Sequence, residues 1–362
     1  MSELLNVEAK DASKCLKKPE PFYNKYSRGV LGLVTGSNEY PGAAILSASA
    51  AAHANIGMVR YAGPLRAQNL VLQTSPEVVA SEQLNGKIDA ITVGSGIPDA
   101  NHCNTETSAN QRKYIASILA QYAKENNNSK EKSIEKSISQ KDNLPTICVD
   151  AGALDLLPKQ VCTKVVLTPH AGELSSLFTR YDLEISAQEI LKNPVEYAQK
   201  AADLTGATVL VKGATTAVAS PSELHSPIYI AKCAPSWLAT AGSGDVLAGI
   251  LGALLAQRES NNNPENNKNS ANYAENNTEN YAENSTENYA ENENYAFIAA
   301  NAAVIHGISA SLASRINSEN NYTQLAKDIV ESNDTSTLDH PIVASDIINA
   351  LPYILGILIN MK

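Results

Sequence analysis

Several features that mark common classes of protein are missing from this chain. Its five cysteines, Cys15, Cys103, Cys148, Cys162 and Cys233, are scattered, odd in number and nowhere spaced Cys-x-x-Cys. That pattern argues against a disulfide framework and for reduced thiols in a cytoplasmic protein. Clustered positive charge is missing too: 28 Lys and Arg stand against 38 Asp and Glu, a formal net charge of -10 over 362 residues. A nucleic-acid surface gathers Lys and Arg, so no nucleic-acid partner is expected. The start, Met1-Ser2-Glu3-Leu4-Leu5, shows no basic stretch followed by an apolar one, the pattern of a secretory leader. The apolar tail from Ile347 to Ile359 is interrupted by Asn349 and Pro352 and is too short to span a bilayer. It reads as a core-packed last helix, and no membrane partner is expected. What is present is 43% hydrophobic residues, ample for one large α/β domain or two ordinary ones.

Two segments read as lying outside any packed core. From about Asn104 to Asn143 the chain is rich in Asn, Ser, Lys and Glu, although Tyr114 to Ala120 has helical periodicity, and its half beyond Lys124 reads as a loop. From Ser260 to Ala296 there are seven Glu and one Lys, and an eight-residue unit repeats from Asn272 and again from Asn280 and Asn288. Each copy offers little apolar content beyond one Tyr, so the repeats read as a disordered insertion between two helices. The regular Tyr spacing also fits a partner-binding tract, but low-complexity expansion explains it more simply. The domain reading is therefore an extension over 1–29 and one domain over 30–362, with polar insertions at about 104–143 and 260–296.

With the insertions set aside, strands and helices alternate. Val30 to Val34 leads into a Gly/Ser/Pro turn and an Ala-rich helix from Ala43 to about Asn55. Ala90 to Val93 precedes Gly94-Ser95-Gly96, Thr146 to Val149 precedes Asp150, Lys164 to Leu167 precedes Thr168-Pro169-His170, and Thr208 to Val211 precedes Lys212-Gly213. Short, two-sided apolar strands alternating with helices indicate a mostly parallel sheet wrapped on both faces. Ligands bind such sheets beyond the carboxyl ends of the strands, where these polar residues would converge.

Ala239-Thr240-Ala241-Gly242-Ser243-Gly244-Asp245 runs into the apolar stretch Val246 to Ala256. Free N–H groups of Gly242, Ser243 and Gly244 at a helix start form an anion site, with Asp245 in the first turn as a base; the tetrapeptide alone is equally a turn with a helix cap. Thr168-Pro169-His170-Ala171-Gly172-Glu173 pairs an imidazole with a carboxylate at a strand end, where His170 can bond a polar substrate group and Glu173 can hold waters of a phosphate-bound Mg²⁺; either residue alone reads as surface or helix-start chemistry. Lys212-Gly213-Ala214-Thr215-Thr216 offers a cation, a flexible Gly and two hydroxyls for phosphate or ribose. Gly36-Ser37-Asn38-Glu39-Tyr40-Pro41-Gly42-Ala43-Ala44 is another small-residue turn into a helix, with room for a bulky ligand.

In order and approximate spacing these motifs resemble the ADP-dependent NAD(P)H-hydrate dehydratases, a ribokinase-like family. The likeness rests on Gly-Ser-x-x-x-Pro-Gly-Ala-Ala, Gly-x-Gly-Ile-Pro, Asp150-Ala151-Gly152-Ala153-Leu154, Thr-Pro-His-x-Gly-Glu, Val-Lys-Gly-x-x-Thr and Gly-Ser-Gly-Asp-Val-Leu-Ala-Gly. Ala302-Ala303-Val304-Ile305-His306-Gly307 looks like the family's penultimate helix, and Ala344 to Ile347 with Leu351-Pro352 like its last. The segment Cys233-Ala234-Pro235-Ser236-Trp237-Leu238 departs from the Asn-Pro-Gly turn of many members. The first 29 residues do not contain the epimerase domain of bifunctional members.

The resemblance implies ADP-dependent dehydration of the S epimer of hydrated NADH or NADPH, a hydro-lyase repairing nicotinamide cofactors. Phosphorylation of the 6-hydroxyl, then phosphate elimination, would overcome hydroxide's poor leaving ability. It assigns Asp245 as base, Ala43, Gly96, His170 and Asp245 to the hydrated cofactor, and Lys212, Gly213, Ala214, Thr215, Thr216 and Gly244 to the nucleotide. It also implies Mg²⁺ placed with help from Glu173, ADP in preference to ATP, and a homotetramer. A vitamin-precursor kinase of the same fold is the nearest rival, disfavoured by Thr-Pro-His-x-Gly-Glu. A non-catalytic nucleotide-binding interaction protein is the second, disfavoured by the intact Asp245 and Lys212.

Overall fold

The computed structural model describes residues 3–124, 144–261, 295–315, 322–332 and 339–361. Ten strands form one sheet: β1 (Leu4–Asn6), β2 (Val30–Val34), β3 (Met58–Ala62), β4 (Val79–Ser81), β5 (Ala90–Val93), β6 (Thr146–Val149), β7 (Val165–Leu167), β8 (Thr208–Val211), β9 (Thr216–Ala219) and β10 (Ile228–Ala231). They lie side by side in the order β1-β10-β9-β8-β7-β6-β5-β2-β3-β4. Every pairing is parallel except those of β9, which runs against both β8 and β10.

The five strands legible as apolar runs, β2, β5, β6, β7 and β8, occupy adjacent central positions and are buried along their length. Helices cover both faces, as a parallel sheet requires. On one face Pro41–His53, Ser243–Asn261, Tyr295–Ala313 and Ala344–Asn360 share an apolar cluster; on the other Glu106–Leu119, Ala171–Thr179 and Pro194–Thr205 share a second. Tyr295–Ala313 is long and apolar enough to cross a membrane by composition, but 94% of that stretch is buried inside the protein. The last helix is core-packed as expected, with Ile347, Leu351, Ile354 and Leu358 buried and Pro352 on its exposed side.

Two expectations need correction. Residues 3–16 of the expected extension are built into the domain: β1 extends the sheet by pairing with β10, and Ala9, Ala12 and Leu16 are fully buried. The first half of the segment assigned to an insertion at 104–143 is a packed helix, Glu106–Leu119, capped by the Thr105 side chain and burying Ile115, Ile118 and Leu119. Its polar composition misleads because Ser108, Gln111 and Arg112 are buried as hydrogen-bonded groups rather than solvated ones. The rest of that segment and the octapeptide repeats lie outside the described residues.

From β2 the chain moves outward to β3 and β4, then returns to β5 on the other side of β2. That reversal opens a crevice beyond the carboxyl ends of β2 and β5.

Candidate functional site

At the reversal the two strand-end turns lock together. The Gly36 N–H donates to the Ser95 carbonyl at 2.7 Å. Gly96 has φ +67°, and a Cβ there would stand 2.4 Å from the Ala43 Cβ, so the turn needs glycine both for its conformation and for the approach. Ala43 and Gly96 are therefore neighbours on one wall. A cleft of about 430 Å³ opens beside them, lined by Tyr40, Ile97, Ala151, Gly152, His170 and Glu173 among others.

His170 and Glu173 cap their own helix reciprocally. His170 Nδ1 accepts from the Gly172 and Glu173 N–H groups at 3.0 and 3.2 Å, and Glu173 Oε2 accepts from the His170 N–H at 2.7 Å. The helix-start reading of Glu173 is thus realised, whereas His170, whose alternative reading was a surface histidine, is the cap of the same helix. Capping fixes the ring with Nε2 outward: the His170 side chain is 59% exposed, borders the cleft and places Nε2 3.5 Å from Glu173 Oε1.

Lys212 ties the site together. Its backbone N–H donates to the Pro169 carbonyl at 2.9 Å, which sets β8 beside the His170 turn. Its ammonium lies 2.7 Å from Asp150 Oδ1 and 3.7 Å from Glu173 Oε2. It also lies 3.7 Å from where a Cβ on Gly244 would be, so it stands at the start of the helix Ser243–Asn261. Burial works against the ammonium, but the Asp150 and Glu173 carboxylates outweigh it and raise the Lys212 pKa. The turn Gly213 to Thr216 crosses from β8 to β9 at the same rim, with Gly213 and Ala214 exposed.

Gly242 takes φ +87°, and Asp245 occupies the first turn of the helix that follows. No described residue donates a hydrogen bond to the Asp245 carboxylate. Burial, then repulsion from Asp150, pushes its pKa up to about 7, with Lys212 pulling the other way. A carboxylate that changes charge near neutral pH, beside the helix-start amides and a fixed ammonium, can accept a proton from a hydroxyl while phosphoryl charge is held next to it.

Three residues matter that sequence reasoning left without a role. Asp150 is the hub: it is 2% exposed and accepts from Ser95 Oγ at 2.8 Å, Thr168 Oγ1 at 2.9 Å and Lys212. A carboxylate directly after a fully buried central strand was the available signal. Arg112 braces the cleft wall, donating to the Pro98 and Gly152 carbonyls at 2.7 and 2.9 Å and pairing with both Asp155 oxygens at 2.9 and 3.0 Å. Its place on the apolar stripe with Ile115 and Leu119 was the clue. His306 lies buried on the helix Tyr295–Ala313, and burial pushes its pKa down to about 4.

Among the described residues no three His, Cys, Asp or Glu side chains gather as a metal site. Nucleotide-borne Mg²⁺ needs less, since phosphates and waters fill most of its coordination and one or two carboxylates suffice. Glu173 fits that role through Oε1, because Oε2 is taken by the His170 N–H.

Comparison with known proteins matches residues 31–332 to a family described as NAD(P)H-hydrate dehydratase. The bifunctional NAD(P)H-hydrate repair enzyme Nnr of Mycobacterium tuberculosis is 36% identical over 263 residues, 70% of this chain and 46% of that protein. This chain thus spans about half the length of the bifunctional relatives it matches. The ADP-dependent (S)-NAD(P)H-hydrate dehydratase of Neisseria meningitidis is 29% identical over 65% of this chain and 71% of its own length. The fold is that of the Bacillus subtilis ADP/ATP-dependent NAD(P)H-hydrate dehydratase crystallised with ATP/Mg²⁺, with a TM-score of 0.62 at 18% identity over 98% of both chains. A ribokinase-like superfamily protein from Enterococcus faecalis shares it at 0.63 and 16% identity, covering 98% of this chain and 96% of that one.

Proposed function

The chain belongs to the NAD(P)H-hydrate dehydratase family, and from that premise we propose that it returns the S epimers of hydrated NADH and NADPH to NADH and NADPH with ADP as co-substrate. One observation carries this reading: Asp245, raised to about 7, follows directly on the Gly242-Ser243-Gly244 amides where the Lys212 ammonium is also held. That is a proton acceptor next to an anion site, the pairing a phosphoryl transfer to a hydroxyl requires.

In the first step Asp245 takes the proton of the 6-hydroxyl as its oxygen attacks the β phosphorus of ADP. The bond from that phosphorus to the bridging oxygen breaks, and AMP leaves. The ring nitrogen's lone pair then breaks the C6–O bond and expels phosphate, and loss of a C5 proton restores the double bond. Lys212 and the helix-start amides hold the phosphoryl oxygens throughout, while His170, Ala43 and Gly96 border the space for the hydrated ring. When Mg²⁺ is bound with the nucleotide, at Glu173 through water, it supplies further charge neutralisation on the phosphates. ADP is placed ahead of ATP because the Neisseria relative is named ADP-dependent. A cytoplasmic homotetramer completes the reading, with exposed Leu65, Leu72, Leu191 and Tyr353 as apolar surface for contacts between copies.

The test is to mix the S hydrate with ADP and follow the reduced-nicotinamide absorbance and AMP together. The two should rise in equal amounts. Nicotinamide recovery without AMP, or turnover of a vitamin-precursor alcohol instead, would contradict the proposal.

A further inference from the structure

We propose that Arg112 is a positioning residue for the hydrated cofactor: it holds the Ala151-Gly152 bend against the Ile97-Pro98 turn and so sets the shape of the cleft, leaving the nucleotide side alone. The inference rests on the reading above only for what fills the cleft.

Ile97, Pro98 and Asp99 on one segment and Ala151 and Gly152 on another line the cleft. Glycines let the two segments press together: a Cβ on Gly152 would collide with the Ile97 carbonyl, and one on Gly94 with the Asp150 carbonyl. Missing side chains permit this approach but do not hold it. At its root the pair is joined by Ser95 Oγ, which donates to Asp150. Beyond that point, among the described residues, the hydrogen bonds linking the two segments run through Arg112 and Asp155. Arg112 Nη1 donates to the Pro98 and Gly152 carbonyls, its Nη2 pairs with both Asp155 oxygens, and Asp155 Oδ2 accepts from the Ala100 N–H at 2.8 Å. The far end of the bend is fixed separately, by Arg180 donating to the Leu154 and Leu157 carbonyls. From the residue before Arg112 on the same helix, Gln111 donates to the Gly36 carbonyl at 2.8 Å. Two successive side chains thus reach the turns that follow β2, β5 and β6.

The bend that Arg112 grips is strained. Ala151 takes φ +46°, a left-handed conformation that a residue with a Cβ adopts only where its surroundings impose it. It stands in the cleft lining, and the carbonyl of the next residue is one that Arg112 binds. Stability alone does not account for a buried guanidinium, since apolar side chains of similar volume often serve a fold as well as a buried ion pair does. An apolar side chain cannot bring two carbonyl oxygens to one nitrogen. Those oxygens carry like partial charge and would draw apart without a donor between them, whereas a planar guanidinium holds both and keeps Asp155 in register. Asp150, the residue before the bend, is tied to Thr168 and Lys212 independently of Arg112, so loosening the bend spares the nucleotide side.

The test compares the full-length protein with Arg112→Met, which keeps an unbranched stem and removes every donor. NADPH binding is followed by the fluorescence of its reduced ring, ADP binding by calorimetry, and backbone amide exchange by mass spectrometry. Arg112→Met should bind NADPH ~10-fold more weakly and lose up to ~10²-fold in kcat/KM for the S hydrate, the size of effect that a misplacement of about 1 Å can cause. Its ADP affinity should be unchanged, and faster exchange should be confined to 94–100 and 150–157. A folded Arg112→Met with unchanged NADPH affinity would overturn the proposal, as would one that loses NADPH and ADP alike. Should Arg112→Met fail to fold, Asp155→Asn replaces it, because that carboxylate is partly exposed. The same split at smaller size is then expected, and its absence would overturn the proposal. A wild-type protein that binds ADP but no reduced nicotinamide would sink the proposed reaction instead. In that event the exchange pattern decides for Arg112: faster exchange in the two segments upholds its grip on the bend, and unchanged exchange overturns it.

Discussion

At the amino ends of the strands, Glu259 Oε1 accepts from Thr146 Oγ1 at 2.8 Å and Tyr295 Oη at 2.9 Å and pairs with Arg258, whose guanidinium lies 4.4 Å over the Tyr295 ring. At the carboxyl ends, Asp150 is satisfied in the same manner by Ser95, Thr168 and Lys212, but Asp245 nearby has no donor among the described residues. Both rims bury carboxylates on the same sheet and against the same helix, Ser243–Asn261, whose first turn carries Asp245 and whose last carries Glu259. The difference is one unsatisfied group. A carboxylate with its hydrogen bonds filled braces the fold, whereas one left unfilled and desolvated keeps a proton affinity that a reaction near neutral pH can use.

Asp245→Asn breaks the comparison most severely. Turnover should fall by ~10²–10⁴ with ADP binding retained, since a positioned base contributes about that factor. The same variant should be the more stable protein at pH 8. The Asp245 pKa is raised in the folded state, so the folded protein holds the proton more tightly than the unfolded chain and loses that stabilisation as pH rises through about 7. Asn carries no charge to lose, and thermal unfolding at pH 6 and pH 8 should show the gain growing with pH. Lys212→Met should destabilise by ~3–5 kcal/mol in denaturant unfolding, because it strands Asp150 without its cation, and should weaken ADP binding as well. A smaller effect separates the two acids: kcat against pH should fall on the acid side with a midpoint near 7, and Asp150→Asn should move that midpoint lower by removing the like charge that helps raise Asp245. At the other rim, Glu259→Gln should cost ~1–2 kcal/mol of stability and leave kcat unchanged. Smallest of all, deleting residues 264–292, which join the chain at that rim, should leave kcat unaltered.

The central half of the sheet was readable because β2, β5, β6, β7 and β8 are apolar on both sides, and each ends in a polar or glycine-rich turn that points at the site. The flanks were not. β3 carries Arg60 at its centre, β4 is only three residues and partly exposed, and β1 and β10 join residues more than 200 positions apart. The glycine turn, Lys212 and the His170 cap could be located from their motifs, because strand-end loops of a parallel sheet converge regardless of which flanking strands exist. Asp150 and Arg112 could not be given roles from the sequence, since each works through partners distant along the chain: Lys212 and Asp155. The helix Glu106–Leu119 was misread for a related reason, as its buried Arg112, Gln111 and Ser108 look solvated until their acceptors are known.

The central claim, that the leaving oxygen is phosphorylated before it departs, is tested most directly by placing ¹⁸O in the 6-hydroxyl of the hydrate and turning it over with ADP. The account predicts the label in released phosphate, one atom per nicotinamide restored. Label recovered in water, with unlabelled phosphate, would contradict it.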